Sequence, residues 1–282
     1  MIITEKIHEL GEFRWEDPQS EQLVSAKREV LQIKPEMVLP SNIRYAGEWT
    51  SDGRRHGRGT LTWPDGARYD GYFVDNYQEG LGRIIHSDGD VYVGYWKKDR
   101  SYGMGTYTHM DGAYYEGFWV DDKHHGYGKE VWADGAIFEG DYRLGKKHGK
   151  GQFYWPDGSK FLGQFVDNTM DGAGVYEWVD GRHYDGLWKD NMQHGQGHFT
   201  WEDGREYVGE YINDKREGYG VFTWPDGREY KGGWEAGRQH GHAIYRKTSG
   251  KVKRGKWVHG KRVGVWESIE GDREPDNALE KS

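Results

Sequence analysis

The sequence predicts an all-β fold: an elongated, single-layer antiparallel β-meander of about ten hairpin repeats, with a short N-terminal helix. Three observations carry this. First, glycines recur at a fixed period. Gly71, Gly94, Gly117, Gly140, Gly163, Gly186, Gly209, Gly232 and Gly255 are 23 apart, with Gly47 one residue further off, and a second column runs unbroken from Gly57 to Gly264. A fixed period of this length marks a repeat array. Second, each unit contains two short strand patterns, Tyr-x-Gly-x-aromatic (Tyr45–Trp49) and Gly-x-Gly-x-apolar-x-Trp (Gly57–Trp63). Their alternation has period two, and three glycines per unit would each cost a helix about 1 kcal/mol. Third, the strand patterns are punctuated by Asp-Gly, at Asp65, Asp88, Asp111, Asp134, Asp157, Asp180, Asp203 and Asp226. Asp-Gly between strand patterns is a hairpin signal, because glycine accepts positive φ.

Taken in order, residues 1–40 form an N-terminal arm. Gly11-Glu12-Phe13 reads as a worn half-repeat. Asp17-Pro18 reads as a helix start, and Leu23, Ala26, Val30 and Ile33 continue a helical spacing, so an amphipathic helix is expected over roughly 18–33, stopped by Pro35. It is expected to cap the first unit or to dock a partner. The repeat array occupies 41–268. The third glycine column ends at Gly220 and gives way to Ala243 and Trp266, the decay expected of a terminal cap. Residues 269–282 are acidic and polar and are expected to be a disordered tail. Within the array, the loop Val166–Asp171 exemplifies the second turn of each unit. Strand alternation places Tyr, Gly and Trp on one face, with Gly57, Gly59, Leu61 and Trp63 together, so that face is expected to show aromatic rows flanking a glycine floor.

Composition narrows the function. The chain has 44 Gly, 14 Trp and 20 Tyr but only 34% hydrophobic residues. That is too little aliphatic content for a large core and too many aromatics for a disordered chain. A net charge of −8 argues against a general nucleic-acid binder. With no cysteine, disulfides and thiolate catalysis are excluded. No apolar run is long enough for a membrane-spanning helix, and the first residues lack a signal-peptide pattern, which favours the cytosol.

The Tyr-x-Gly-x-Trp…His-Gly-x-Gly…Asp-Gly pattern resembles the MORN repeat (membrane occupation and recognition nexus), over about 80% of the chain. The resemblance implies a twisted β-ribbon with a scaffolding or targeting role. Relatives occur in junctional membrane proteins, parasite cytoskeletons and flagellar axonemes, radial spokes among them. Some hold a partner's helix or peptide along the aromatic groove, and some dimerise through terminal repeats. The tenth unit departs from the pattern, with Lys253 where Tyr is expected.

No catalytic constellation is found. His56, His125, His148, His194 and His240 share a column, but column mates about 10 Å apart cannot share a metal ion, so no metal site and no cofactor are expected. The periodic aspartates are read as turn residues. No Walker-type loop or nucleophile elbow appears, and Gly-x-Gly on a strand is no dinucleotide fingerprint, so a non-enzymatic scaffold is expected. Its candidate partner-binding residues are Tyr69, Tyr92, Tyr115, Trp132, Trp155, Trp178, Tyr184, Trp201, Tyr207, Trp224 and Tyr230, as an uncovered aromatic row suits a helix or extended peptide. The alternative is a membrane-surface adaptor. Lys251, Lys253, Arg254, Lys256, Lys261 and Arg262 lie in an acid-free stretch that would take an acidic protein tail or anionic lipid.

Overall fold

The computed structural model describes residues 2–267, so the expected acidic tail 269–282 lies outside the described residues. The chain divides into two units, one ending at Pro156 and the other beginning at Asp157. In the first, two helices, α1 (Ile2–Leu10) and α2 (Pro18–Ser25), precede eleven strands. These are β1 (Gln32–Val38), β2 (Arg44–Trp49), β3 (Arg55–Thr62), β4 (Arg68–Val74), β5 (Tyr77–Ile85), β6 (Val91–Lys97), β7 (Arg100–Thr108), β8 (Tyr114–Val120), β9 (Lys123–Val131), β10 (Ile137–Arg143) and β11 (Lys146–Tyr154). The second holds β12 (Lys160–Val166), β13 (Thr169–Glu177), β14 (His183–Lys189), β15 (Met192–Thr200), β16 (Glu206–Ile212), β17 (Lys215–Thr223), β18 (Glu229–Glu235), β19 (Arg238–Arg246), β20 (Val252–Val258) and β21 (Lys261–Glu267). Within each unit every strand pairs antiparallel with its neighbours in sequence. The all-β hairpin meander is thus the fold, with two strands for each repeat, including the tenth.

Both kinds of turn follow from their residues. All eight Asp-Gly aspartates accept a hydrogen bond from the backbone N–H two residues on, at 2.8–3.2 Å. The opposite turns are two-residue tips with both φ positive, as at Asp75 (50°) and Asn76 (75°), the type I′ geometry that matches strand twist. Within each unit, tips also lean on the preceding hairpin. Asn76 Oδ1 accepts from Arg55 N at 2.9 Å, and Asp214 Oδ1 from Gln193 N at 2.8 Å.

The glycine columns have two separate causes. In the pair Gly71–Gly82, the Tyr69 ring lies flat across both residues, and a Cβ on Gly82 would sit 2.4 Å from its hydroxyl oxygen. The other column, Gly57 to Gly264, lies in a β-bulge. Gly71 pairs with Gly82 and Phe73 with Gln78, so one residue opposes three, and Gly80 takes φ +76°. The bulge resets the alternation, so Gly57 does not share the face of Gly59 and Leu61 as expected. The residue after the glycine on the first strand turns its carbonyl toward the tyrosine: Tyr69 Oη donates to Tyr72 O at 3.1 Å, and Tyr207 Oη to Glu210 O at 3.1 Å.

The N-terminal arm corrects two expectations. Gly11 is a helix stop and not a repeat glycine: its N–H donates to Ile7 O at 2.9 Å and its φ is +73°, ending α1. The helix from Asp17-Pro18 starts where expected, with Asp17 as N-cap, but it ends at Ser25 and does not run to 33. The chain instead extends into β1, which pairs with the open edge of β2. Edge pairing satisfies backbone groups that a longer helix would leave open on β2. Pro35 falls where the β1–β2 register shifts, between Lys34 and Met37, so no ladder bond is lost to it. Val30 and Ile33, the expected buried stripe, are 75% and 83% exposed.

The arm lies on the face opposite the tyrosines. Ser20 is fully buried: its hydroxyl donates to Asp17 and accepts from Leu81 N at 2.7 Å, directly over Gly80. Tyr72 Oη donates to Trp15 O, and Tyr95 Oη to Asp17 Oδ1 at 3.2 Å. Asp17→Ala removes the cap and the Tyr95 contact together. It is expected to cost about 1–2 kcal/mol and to raise protease sensitivity within residues 11–31, read by limited proteolysis and denaturant melts.

Candidate partner-binding face

On the tyrosine face, each of the first nine repeats contributes a Tyr or Phe from the start of its first strand. Two residues beyond the glycine comes a second aromatic, such as Trp96 or Trp234. Within each half of the chain the second ring meets the first edge-on and also meets that of the preceding repeat, as Trp96 does, 5.2 Å from Tyr92 and 5.3 Å from Tyr69. Burial raises the pKa of these phenols, that of Tyr230 to about 12, so they remain neutral donors to their bulge carbonyls.

This packing removes the tyrosines from the candidate contact surface. Tyr69, Tyr184, Tyr207 and Tyr230 are 0% exposed, and Tyr92 and Tyr115 are no more than 3%. The expected glycine floor is occupied by these rings. The rings are in turn roofed by a column the sequence analysis did not register: Arg55, Gln78, Ser101, His124, Lys147, Met170, Gln193, Arg216 and Gln239, 23 apart. Arg216 lies over Tyr207 at 5.5 Å and over Trp234 at 4.2 Å. His124 stacks on Tyr115 with ring centroids 3.6 Å apart. The period is visible in the sequence, but the residues share no chemistry, so no column declares itself.

The tryptophans Trp132, Trp155, Trp178, Trp201 and Trp224 stand at the entry to the Asp-Gly turns and are half-buried, with part of each ring accessible. In the second unit they alternate with inner rings in a continuous ladder. Trp178–Phe199, Phe199–Trp201, Trp201–Phe222 and Phe222–Trp224 are separated by 5.4, 4.4, 5.5 and 4.5 Å. An arginine lies over each tryptophan: Arg182, Arg205 and Arg228, at 5.1, 5.3 and 5.2 Å. The aspartate of the same turn holds each guanidinium in place, at 2.7–2.8 Å. In the first unit Trp132 and Trp155 flank Phe153, at 5.4 and 4.5 Å. There Glu130 takes the place of an inner aromatic, accepting from Tyr142 Oη at 2.7 Å and pairing with Lys147 at 3.3 Å.

A model of the MORN repeat matches nine consecutive stretches: 45–68, 69–91, 92–114, 115–137, 138–160, 161–181, 184–204, 207–227 and 230–252. The chain belongs to the MORN-repeat family. The repeats make it a protein- or membrane-interaction module. No curated protein matches it significantly. Among solved structures, the chain is similar to the Drosophila melanogaster SAS-4 (dCPAP) TCP domain in complex with a proline-rich motif of Ana2, at 12% identity and a TM-score of 0.35, covering 63% of this chain and 90% of that one. The CPAP G-box domain follows at 12% identity and TM-score 0.29, covering 79% and 99%. A streptogramin B lyase structure is 8% identical with TM-score 0.17, covering 80% and 83%. Likenesses this weak carry no inference about partner or activity.

The basic residues near the end of this MORN array are divided between faces. Arg254 and Lys256 are exposed opposite Ile244 and His242, on the face away from the tyrosines, whereas half-buried Lys253 opposes Tyr245 on the tyrosine face. Arg262 lies over the Trp266 ring at 4.7 Å, and Lys251 and Lys261 are exposed in or beside turns. Among the described residues, no helix is long and apolar enough to cross a membrane.

Proposed function

We propose that this MORN protein is a non-enzymatic scaffold that holds a helix or extended segment of a partner protein along its tryptophan row, within a cytoskeletal assembly such as an axoneme. One observation carries the reading. The tryptophans of the second unit form a pre-ordered ladder of half-buried rings, each with a guanidinium fixed over it. Rigid aromatics and arginines are the side chains from which interface hot spots are built, and an ordered row costs little entropy to engage. The arginines, already paired with turn aspartates, would favour a segment with acidic residues beside apolar ones. The cytoskeletal setting rests on the family resemblance alone.

A photo-crosslinking residue placed at 178, 201 or 224 is expected to capture the partner in cells, and one at 162, 187 or 208, on the other face, is not. Adducts confined to the second set overturn the reading. With the captured partner in hand, Trp178→Ser with Trp201→Ser should weaken binding by about 30-fold or more, the equivalent of about 2 kcal/mol. The lipid alternative is weakened by the division of the basic residues between faces. Sedimentation with anionic vesicles that is lost on neutralising Lys251, Lys253 and Arg254 would favour it instead.

A further inference from the structure

The histidine column contains one place where the argument against shared ligands fails, because the second imidazole comes from outside the column. His240, at the start of β19, and Glu235, the last residue of β18, belong to the ninth repeat. His259 forms the tip turn between β20 and β21 of the tenth, and that tip leans back on the ninth hairpin through Gly260 N to Gln239 O at 2.8 Å. The result is a cluster of one carboxylate and two imidazoles whose ligand atoms all lie within 4.8 Å of one another. His240 Nδ1 is 2.9 Å from Glu235 Oε2, and His259 Nδ1 is 3.7 Å from the same oxygen. The two rings are 5.2 Å apart.

We propose that Glu235, His240 and His259 bind one divalent transition-metal ion of the zinc class, and that this ion staples the tenth hairpin to the ninth. Three lines of argument support it. Donors about 2.0–2.2 Å from a tetrahedral ion are separated by roughly 3.3–3.6 Å, so closing this site needs only small side-chain rotations. The donor set of two neutral imidazoles and one carboxylate suits zinc and leaves a position for water or a partner's ligand.

His240 Nδ1 also lacks a role held by two of its column mates. His56 Nδ1 accepts from Asp75 N at 3.3 Å and His125 Nδ1 from Leu144 N at 3.5 Å, each binding the next tip. His240 Nδ1 is shielded from solvent without a hydrogen bond of proper direction, its carboxylate neighbour being off the line. His194 Nδ1 is also unpartnered, but the cluster of a carboxylate with two imidazoles forms at His240.

The third line is that the tip itself lacks the usual tie. Most other tips carry Asn or Asp in second position and bond the preceding strand through that side chain, as Asp214 does to Gln193 N at 2.8 Å, whereas the last tip carries Gly260 and, like the glycine tips at Gly145 and Gly237, is tied back by its backbone N–H alone. The metal would supply the missing link at the repeat that departs most from the pattern.

The full chain, stripped with a chelator and titrated with zinc chloride by calorimetry at pH 7.5, is expected to bind one equivalent. His240→Gln and His259→Gln should each weaken that binding by on the order of 100-fold or more, the upper end of what second-shell changes cost. His194→Gln should leave it unchanged. Cobalt(II) should give a visible d–d band that both ligand variants lose. Amide exchange over 252–267 should slow on adding zinc to the wild-type chain and not to His259→Gln, with circular dichroism showing that both remain folded. No stoichiometric binding, or binding that survives His259→Gln, overturns the site. Binding lost in that variant but without protection of the last hairpin overturns the staple.

Discussion

Tyr207→Ala is expected to destabilise the second unit by about 3–5 kcal/mol, the range for deleting a buried aromatic side chain. Gly220→Ala should cost about 1–3 kcal/mol by overpacking the same space. Tyr207 is fully buried, edge-on to Tyr211 and Trp234 at 5.3 and 5.1 Å, and its hydroxyl donates to Glu210 O. A Cβ on Gly220 would meet its hydroxyl oxygen at 2.4 Å and its ring carbons at 2.6 Å, and neither the strand nor the roofing Arg216 leaves it room to withdraw. Because both changes act on one ring, their costs should not add. Gly220→Ala in a Tyr207→Ala background should cost less than alone, a coupling read from a double-mutant cycle in urea. The chain contains its own control, since the ninth repeat already carries Ala243 opposite Gly232. There the nearest neighbours of a Cβ on Gly232 are Ala243 and the His242 carbonyl, not the Tyr230 ring. Ala243→Gly should therefore change stability by less than about 1 kcal/mol. A loss as large for Ala243→Gly as for Gly220→Ala would show that the ring–glycine contact is not the cause.

These residues also mark what the sequence disclosed. The hairpin fold was legible because turn chemistry, period and alternation agree: all eight predicted Asp-Gly turns close through their aspartates. The purpose of the glycines was not. A column records that a side chain is excluded there, but not whether the space stays open or is filled, and the tyrosine two residues earlier fills it. That is why the tyrosines of the face expected to be open are closed, while its turn tryptophans keep partial exposure. The arm was legible at its cap, Asp17-Pro18, because capping is local. Its conversion to a strand at Gln32–Val38 was not, because that depends on the vacant edge of β2, a tertiary fact. His259 went unnoticed as a ligand because it is adjacent to His240 only across two strands and a turn.

Lowering the pH should weaken the first unit, and His124 should account for a large share of the loss. Its ring is packed between Tyr115, Trp119 and Tyr142, at 3.6, 4.6 and 5.4 Å. Burial there lowers its pKa from the ordinary 6.5 to about 4, overriding Glu130, which favours the charged form, and reinforced by Lys147, which opposes it. The unfolded chain protonates this imidazole near pH 6.5 and the folded chain only near pH 4. Between those values the unfolded state binds more protons, so stability is whole above about pH 6.5 and falls as the pH drops through the window, levelling off below about pH 4. From neutrality to pH 5 this one group should remove about 2 kcal/mol, less to the extent that water reaches the ring. His124→Gln puts an uncharged side chain at a position where Gln78, Gln193 and Gln239 already serve in other repeats. The variant is expected to be less stable than the wild type at pH 7.5, having lost the ring stack, yet to lose less on going to pH 5. Urea melts of both proteins at pH 7.5, 6 and 5, with amide exchange to assign the loss to β8 and β9, provide the comparison. Parallel stability curves for the two proteins across that window would mean that His124 titrates alike in the folded and unfolded chains, and that its burial among the rings does not set the acid sensitivity of this unit.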